Sequence, residues 1–155
     1  MDNISIIIRN RNEGKHIGYA IQSCLDFFSN PEIVIIDNNS TDDSLEIVSM
    51  FRPILKEKLK IINISNYSPG ASLNMGVNKC TNNTILILSA HAQITKVDLT
   101  KVEFDLKTNV AVFGQQAPIY KGKKITPRYI WSHFTDKCIK NLYSKIEDRY
   151  FLHNA

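Results

Sequence analysis

The chain has 155 residues, 43% of them hydrophobic and 22% charged, which suits one soluble domain with its own core. Its formal net charge of +4 is mild, and no stripe of Lys and Arg interleaved with aromatics supports nucleic-acid binding. The start, MDNISIIIRNRNE, is not a signal peptide, and no window approaches the roughly 18 apolar residues of a membrane-spanning helix.

In chain order, residues 4–8 form a run of branched apolar side chains and predict a buried strand. Ile17, Ile21, Cys24, Leu25 and Phe28 share one helical face, and Asn30-Pro31 ends that helix. Residues 33–36 predict a second buried strand. Ser40 then reads as the N-cap of a helix through about Phe51, with Asp42 and Asp43 in its first turn. Residues 59–64 predict a third strand, Ser68-Pro69-Gly70 a turn, and the following residues a helix to about Cys80. Residues 84–88 predict a fourth strand, 97–107 a weaker helix and 110–115 a fifth strand. Buried strands joined by helices predict a mostly parallel sheet with helices on both faces, in a single α/β domain over 1–155.

The tail reads differently. Ile130, Phe134, Cys138, Leu142 and Ile146 recur every four residues over 128–151, with Trp131, Ile139 and Tyr143 beside them. This predicts an amphipathic helix, packed on the sheet or offered to a membrane or partner. Cys24, Cys80 and Cys138 are odd in number and widely spaced. They read as reduced thiols of a cytosolic protein rather than a disulfide or zinc set. Lys121-Gly122-Lys123-Lys124 reads as a solvated turn, with contact to a phosphorylated acceptor as the functional alternative.

In an open α/β sheet, ligands bind outside the carboxyl ends of the strands. The polar clusters fall at those ends: Arg9 to Glu13, Asp37 to Ser40, Ser65 to Tyr67, and Ser89 to His91. Together they predict a functional edge.

The segments SIIIRNRNEGKHI, IVIIDNNSTDDSLEI and SPGASLNMGVNKC followed by TILILSAHA resemble, in order and spacing, family 2 glycosyltransferases. The resemblance covers roughly residues 3–118 and again RYFLHNA at the end. It implies a GT-A, Rossmann-like fold and transfer of a sugar, with inversion, from a nucleotide-diphospho-sugar donor to a saccharide or lipid-linked acceptor. By resemblance Asp37 contacts the nucleotide base, for which a carboxylate is a sensible acceptor of a pyrimidine imide N–H. The competing reading of Asp37 is a cap for the next helix. By the same resemblance Arg9, Asn10 and Glu13 line the opening loop under the base and ribose, with Glu13 contacting the nucleoside, Arg11 reaches the diphosphate, Asn74 projects from the helix beside the donor, and Asn39 and Ser89 belong to the same nucleotide-sugar-binding set. For each, a solvated or backbone-bridging role is the alternative.

The chain departs from the family at the fourth strand. The usual Asp-x-Asp is replaced by Ser89-Ala90-His91, which puts the family's divalent ion, Mn²⁺ or Mg²⁺, in doubt. His91 ligates a metal together with the phosphates, stabilises the diphosphate directly, or is structural. An inverting transferase also needs a base to deprotonate the acceptor. Asp136, Glu147 and Asp148 precede the matching position, so no catalytic residue is assigned. The expectation is a C-terminally truncated domain that folds, transfers poorly and self-associates along its tail helix. The rival from another class is a noncatalytic nucleotide-sugar-binding or interaction module. A nucleotidyltransferase is disfavoured, because RNRNEGKH lacks that class's glycine-rich loop. The expected location is cytoplasmic, with peripheral contact at the inner face of the cell membrane.

Overall fold

The structure, a computed structural model, describes residues 3–114, 117–124, 143–144 and 149–150. Two compact units divide the chain, Met1–Glu103 and Phe104–Ala155.

The first unit is built on a four-stranded sheet of β1 (Ile4–Asn10), β2 (Glu32–Asp37), β3 (Leu59–Asn63) and β4 (Thr84–Ser89). The order is β3-β2-β1-β4, and every pairing is parallel. The central strands β1 and β2 are covered on both faces, which is why they read as unbroken runs of Ile and Val. Ile6, Ile8, Ile33 and Ile35 point to one face, where α1 (Gly14–Phe27) supplies Ile17, Ile21 and Cys24 and α2 (Ser44–Ser49) supplies Val48. Ile7, Val34 and Ile36 point to the other, against Leu73 and Met75 of α4 (Pro69–Lys79). Full burial of one such side chain contributes about 1.5–3 kcal/mol. Cys24 is buried within this core, and desolvation pushes its thiol up to about 12. Cys24 and Cys80 are free thiols; Cys138 lies outside the described residues.

Capping differs from the sequence reading in one place. Ser40 does not cap α2; the residue before the helix is Asp43, and the Ser40 amide and hydroxyl both donate to the Asp37 carboxylate. An Asp side chain that reaches its own backbone a few residues on makes a turn of this kind, and it takes Ser40 out of reach of the helix. The predicted helix through about Phe51 ends two residues sooner, and a further helix follows it. α2 stops at Ser49, and a short α3 (Arg52–Leu55) follows with Pro53 in its first turn, leading into a single 3-10 turn at Lys56–Lys58. For α4, Ser68 accepts from the Ala71 N–H at 3.1 Å and Pro69 opens the helix, so the predicted turn is the cap itself. α5 (Leu99–Leu106) is opened by Asp98, whose carboxylate accepts the Lys101 N–H at 3.0 Å.

At the N-terminal edge of the sheet a buried polar brace ties β1, β2, β3 and the loop before β4. Glu32 pairs with Lys60 at 2.6 Å, accepts from Ser5 and receives the Thr81 N–H at 2.8 Å. Burial pushes the Glu32 carboxyl up, but Lys60, Ser5 and Thr81 together outweigh it and hold it below the usual range.

In the second unit, β5 (Ile119–Tyr120) and β6 (Lys123–Lys124) form a hairpin through Lys121 and Gly122, at φ 48° and 73°. Two central residues at positive φ make the tight turn that matches strand twist. The basic loop is thus an exposed hairpin tip. Residues 110–114 are irregular rather than a fifth strand, and Gln115 lies outside the described residues. Val110 is fully exposed, so its β propensity finds no neighbouring strand to realise it. β7 (Tyr143–Ser144) and β8 (Arg149–Tyr150) pair antiparallel, so the predicted tail helix does not run through these positions. Aromatic Tyr143 and Tyr150 favour strands locally over the four-residue apolar repeat. The rest of 128–151, including Ile130, Trp131, Phe134, Ile139, Leu142 and Ile146, lies outside the described residues, as do Asp136, Glu147 and Asp148. Among the described residues no helix is long and apolar enough to cross a membrane.

Candidate functional site

The parallel register brings the predicted residues to one edge. Asn10 lies beside Asp37, and Arg9 beside Ser89, at the carboxyl ends of β1, β2 and β4. Side chains alternate along a strand, so this edge has two sides. Asn10 and Asp37 continue the face that carries α1 and α2. Arg9 continues the α4 face.

The α1/α2 side is closed by hydrogen bonds, although the buried Asn10 Oδ1 has no partner among the described residues. Asn10 Nδ2 donates to Asp37 Oδ1 at 2.8 Å and to Ser40 Oγ and Ser44 Oγ at 3.0 Å each. Asp37 is 1% exposed, and both of its oxygens are engaged, by Asn10 and by Ser40. Asp42 accepts the Gly14 N–H at 2.8 Å and also takes Ser44. These bonds, that from Ser44 first, hold the Asp42 carboxyl below its usual range. Asn12 completes the lock, its Oδ1 receiving the Thr41 N–H at 2.7 Å and its own N–H donating to Ser40 Oγ at 3.0 Å. The β1–α1 and β2–α2 loops are therefore one interlocked piece. Asn12 and Asn39 take positive φ of 55° and 51° within it, a conformation that Asn tolerates better than most side chains. Gly14 fits here because a Cβ would overlap the Asp43 carboxylate.

The α4 side is open. Arg9 is half-buried, Ser89 is buried, and Asn38 is 7% exposed. None of these three side chains has a hydrogen-bond partner among the described residues, although the Asn38 N–H is held by Asn10 O at 2.9 Å. Asn38 was not singled out by the sequence. Its signal was slight, since a buried amide at a strand end is visible only after the neighbouring carboxylate is found spent on its own turn. Arg11, Asn39 and Asn74 are exposed and likewise unpartnered among the described residues.

His91 stands just past β4. Its Nδ1 lies 3.1 Å from Glu13 Oε1, which joins the end of β4 to the start of α1. Among the described residues no three His, Cys, Asp or Glu groups gather as a protein metal site requires. The edge near β4 offers one imidazole and one carboxylate already paired with it. That donor set does not fit a hard divalent ion held by protein oxygens.

The family model of Glycosyl transferase family 2 matches residues 5–153. The minor teichoic acid biosynthesis protein GgaA of Bacillus subtilis is 35% identical over 77 residues, 47% of this chain and 17% of GgaA. A PGL/p-HBAD biosynthesis glycosyltransferase of Mycobacterium bovis is 34% identical over 100 residues, 64% of this chain and 35% of that protein. Among solved structures, S. aureus TarS 1-349 in complex with UDP-GlcNAc superposes with a TM-score of 0.58 at 26% identity, over 68% of this chain and 31% of that one. The chain thus spans about a third or less of the length of these relatives. A parallel β3-β2-β1-β4 sheet with a polar carboxyl edge, matched by the family over nearly its whole length, makes this chain a member of glycosyl transferase family 2 with the GT-A fold.

Proposed function

We propose that the chain binds a nucleoside-diphospho-sugar at the carboxyl edge of its parallel sheet and serves transfer of the sugar, with inversion, to a saccharide or lipid-linked acceptor. The observation that carries this reading is the asymmetry of the edge. One side is locked by internal hydrogen bonds, while Arg9, Asn38 and Ser89 on the other are left without partners among the described residues. The polar atoms of these three side chains are not sealed from solvent, so a ligand with many acceptors and donors can pair with them.

Within this reading Asp37 shapes the base end by holding the β2–α2 turn, and the adjacent Asn38 amide reads the base as both donor and acceptor. Arg9 and Arg11 offer charge to the diphosphate, with Ser89 beside it. Asn39 and Asn74 border the ribose and sugar. His91 stabilises the leaving diphosphate directly, where developing negative charge rewards a fixed donor. The acceptor hydroxyl needs a base. Glu13, Asp37 and Asp42 are already engaged by hydrogen bonds, and no residue is assigned this role. A lipid-linked acceptor would put the chain at the inner face of the cell membrane.

Calorimetry with UDP, GDP and dTDP, each in EDTA and then with Mn²⁺, tests the donor site. The expected result is saturable binding of at least one nucleotide in EDTA, with less than tenfold gain on adding metal. No binding of any nucleotide removes the reading. A gain well beyond tenfold makes His91 a metal ligand instead. Turnover with the matching sugar nucleotide separates a transferase from a binding module.

A further inference from the structure

We infer that Glu13 is the positioning residue of His91: its carboxylate fixes the imidazole tautomer and ring orientation so that Nε2 meets the donor diphosphate. The inference rests on the donor reading above and changes the part Glu13 plays in it, from a nucleoside contact to a partner of His91.

Glu13 occupies the N-cap position of α1, where Ser, Thr, Asp or Asn ordinarily bonds the first free N–H groups of the helix and the longer Glu is not favoured. It makes no such bond. The Gly14 N–H is taken instead by Asp42, from the β2–α2 loop, at 2.8 Å. With the helix start capped from elsewhere, the Glu13 carboxylate is released from that duty. It reaches across 78 positions of sequence to His91 Nδ1.

On the other side of the pair, the main chain of His91 is held and its ring is not. Ala90 is buried in the core, and the Ala92 N–H closes a turn onto Ser89 O at 2.9 Å. The imidazole itself is 64% exposed, against 27% for the Glu13 side chain. Glu13 is its one polar partner among the described residues. An exposed ring turns freely about its side-chain bonds, so this contact decides where it points.

A carboxylate accepts and does not donate, so Nδ1 must carry the proton. The hydrogen bond made by one ring nitrogen sets the role of the other. Nε2 is therefore the nitrogen left for the ligand. In the neutral ring that nitrogen is an acceptor, and it becomes a donor to a diphosphate oxygen when the ring takes up a second proton with the ligand, the Glu13 carboxylate behind it balancing the charge. At metal sites, carboxylates that orient a ligating histidine matter by about 10–100-fold when removed, and the lower end of that range is the effect expected here.

Two measurements test the pair. The first is the ¹⁵N spectrum of the His91 imidazole in the unliganded full chain, which needs neither a variant nor a nucleotide. The inference expects Nδ1 protonated in the wild type and a shift of the neutral ring toward the Nε2–H form in Glu13→Ala. A wild-type neutral ring in the Nε2–H form overturns it. The second is a double-mutant cycle in EDTA with UDP and uridine as probes, or the corresponding pair if the panel above selects another base. Glu13→Ala should weaken UDP about tenfold, leave uridine within twofold, and add nothing once His91 is Ala. Glu13→Gln, whose amide oxygen still accepts from Nδ1–H, should recover most of the loss. Equal losses for UDP and uridine, or effects of Glu13→Ala and His91→Ala that simply multiply, would make Glu13 an independent nucleoside contact and overturn the inference. If the wild type binds no nucleotide, the donor reading has failed rather than the pair, and the spectrum still decides the tautomer.

Discussion

Asp37 and Asn38 are neighbours in sequence with opposite situations. The carboxylate of Asp37 is consumed by Asn10 and Ser40, while the amide of Asn38, nearly as buried, is unclaimed among the described residues. Substituting each should therefore fail differently. Asp37→Ala leaves the Ser40 N–H without its acceptor and takes the charged one of three from the Asn10 amide, and is expected to lower folding stability by about 2–4 kcal/mol, the range between losing a charged hydrogen bond and stripping a buried network. Asn38→Ala removes a side chain that no described residue uses, so stability should move by less than about 1 kcal/mol. Nucleotide affinity should fall instead, by about 0.5–1.5 kcal/mol, one neutral hydrogen bond. Urea denaturation and calorimetry on the two variants read both quantities. An Asn38→Ala protein with full nucleotide affinity would take Asn38 out of the site.

Among the elements, α4 lies closest to the sheet, and one residue sets the distance. A Cβ at Gly76 would come within 2.8, 3.0 and 3.2 Å of three atoms of the Ile7 side chain, and Ile7 is wholly buried in the central strand. Neither partner can give way cheaply in a packed interior. Alanine is the better helix former by about 1 kcal/mol. Overpacking a core ordinarily costs about 1–3 kcal/mol. The balance predicts that Gly76→Ala destabilises, by up to about 2 kcal/mol. A denaturation midpoint at or above wild type would show that α4 can move off β1 without loss. On the other face, the register between the β1–α1 and β2–α2 loops depends on small polar side chains, Asn12, Ser40 and Asp42, each bonding across the gap, and on Ser44, which accepts from Asn10 at the end of β1.

At the scale of the molecule, two carboxylates link stability to pH with the same sign. Glu32 and Asp42 both titrate below their usual range in the folded chain. A carboxyl lowered on folding contributes stability that is fully present above its unfolded value, and loses it as pH falls through the folded one. Stability should thus be flat near neutrality and decline from about pH 5 downward. Glu32→Gln should lower the neutral plateau by about 1–3 kcal/mol and flatten the acid decline. Denaturation midpoints across the acid range check this. A Glu32→Gln curve parallel to wild type would mean that the brace at the N-terminal edge is not what acid dissolves.

The sequence by itself determined the four strands and the longer helices of the first unit, because buried strands and a one-sided helix must repeat apolar residues at periods that show in the order of residues. It also determined which edge carries polar groups, since those groups directly follow each apolar run. Where a choice lay between local partners, only the tertiary structure decided it. Ser40 looks like a cap in sequence and serves Asp37 in space; Asp42 looks like part of a helix start and caps a different helix. The stretch 110–114 and the positions of β7 and β8 carry patterns whose outcome depends on whether a neighbouring strand is present. The pairing of Glu13 with His91, and the isolation of Asn38 beside a spent Asp37, belong to the same class. Each depends on which groups meet across long stretches of chain, and hydrogen-bond partners, unlike hydrophobic periods, leave no spacing in the sequence to be read.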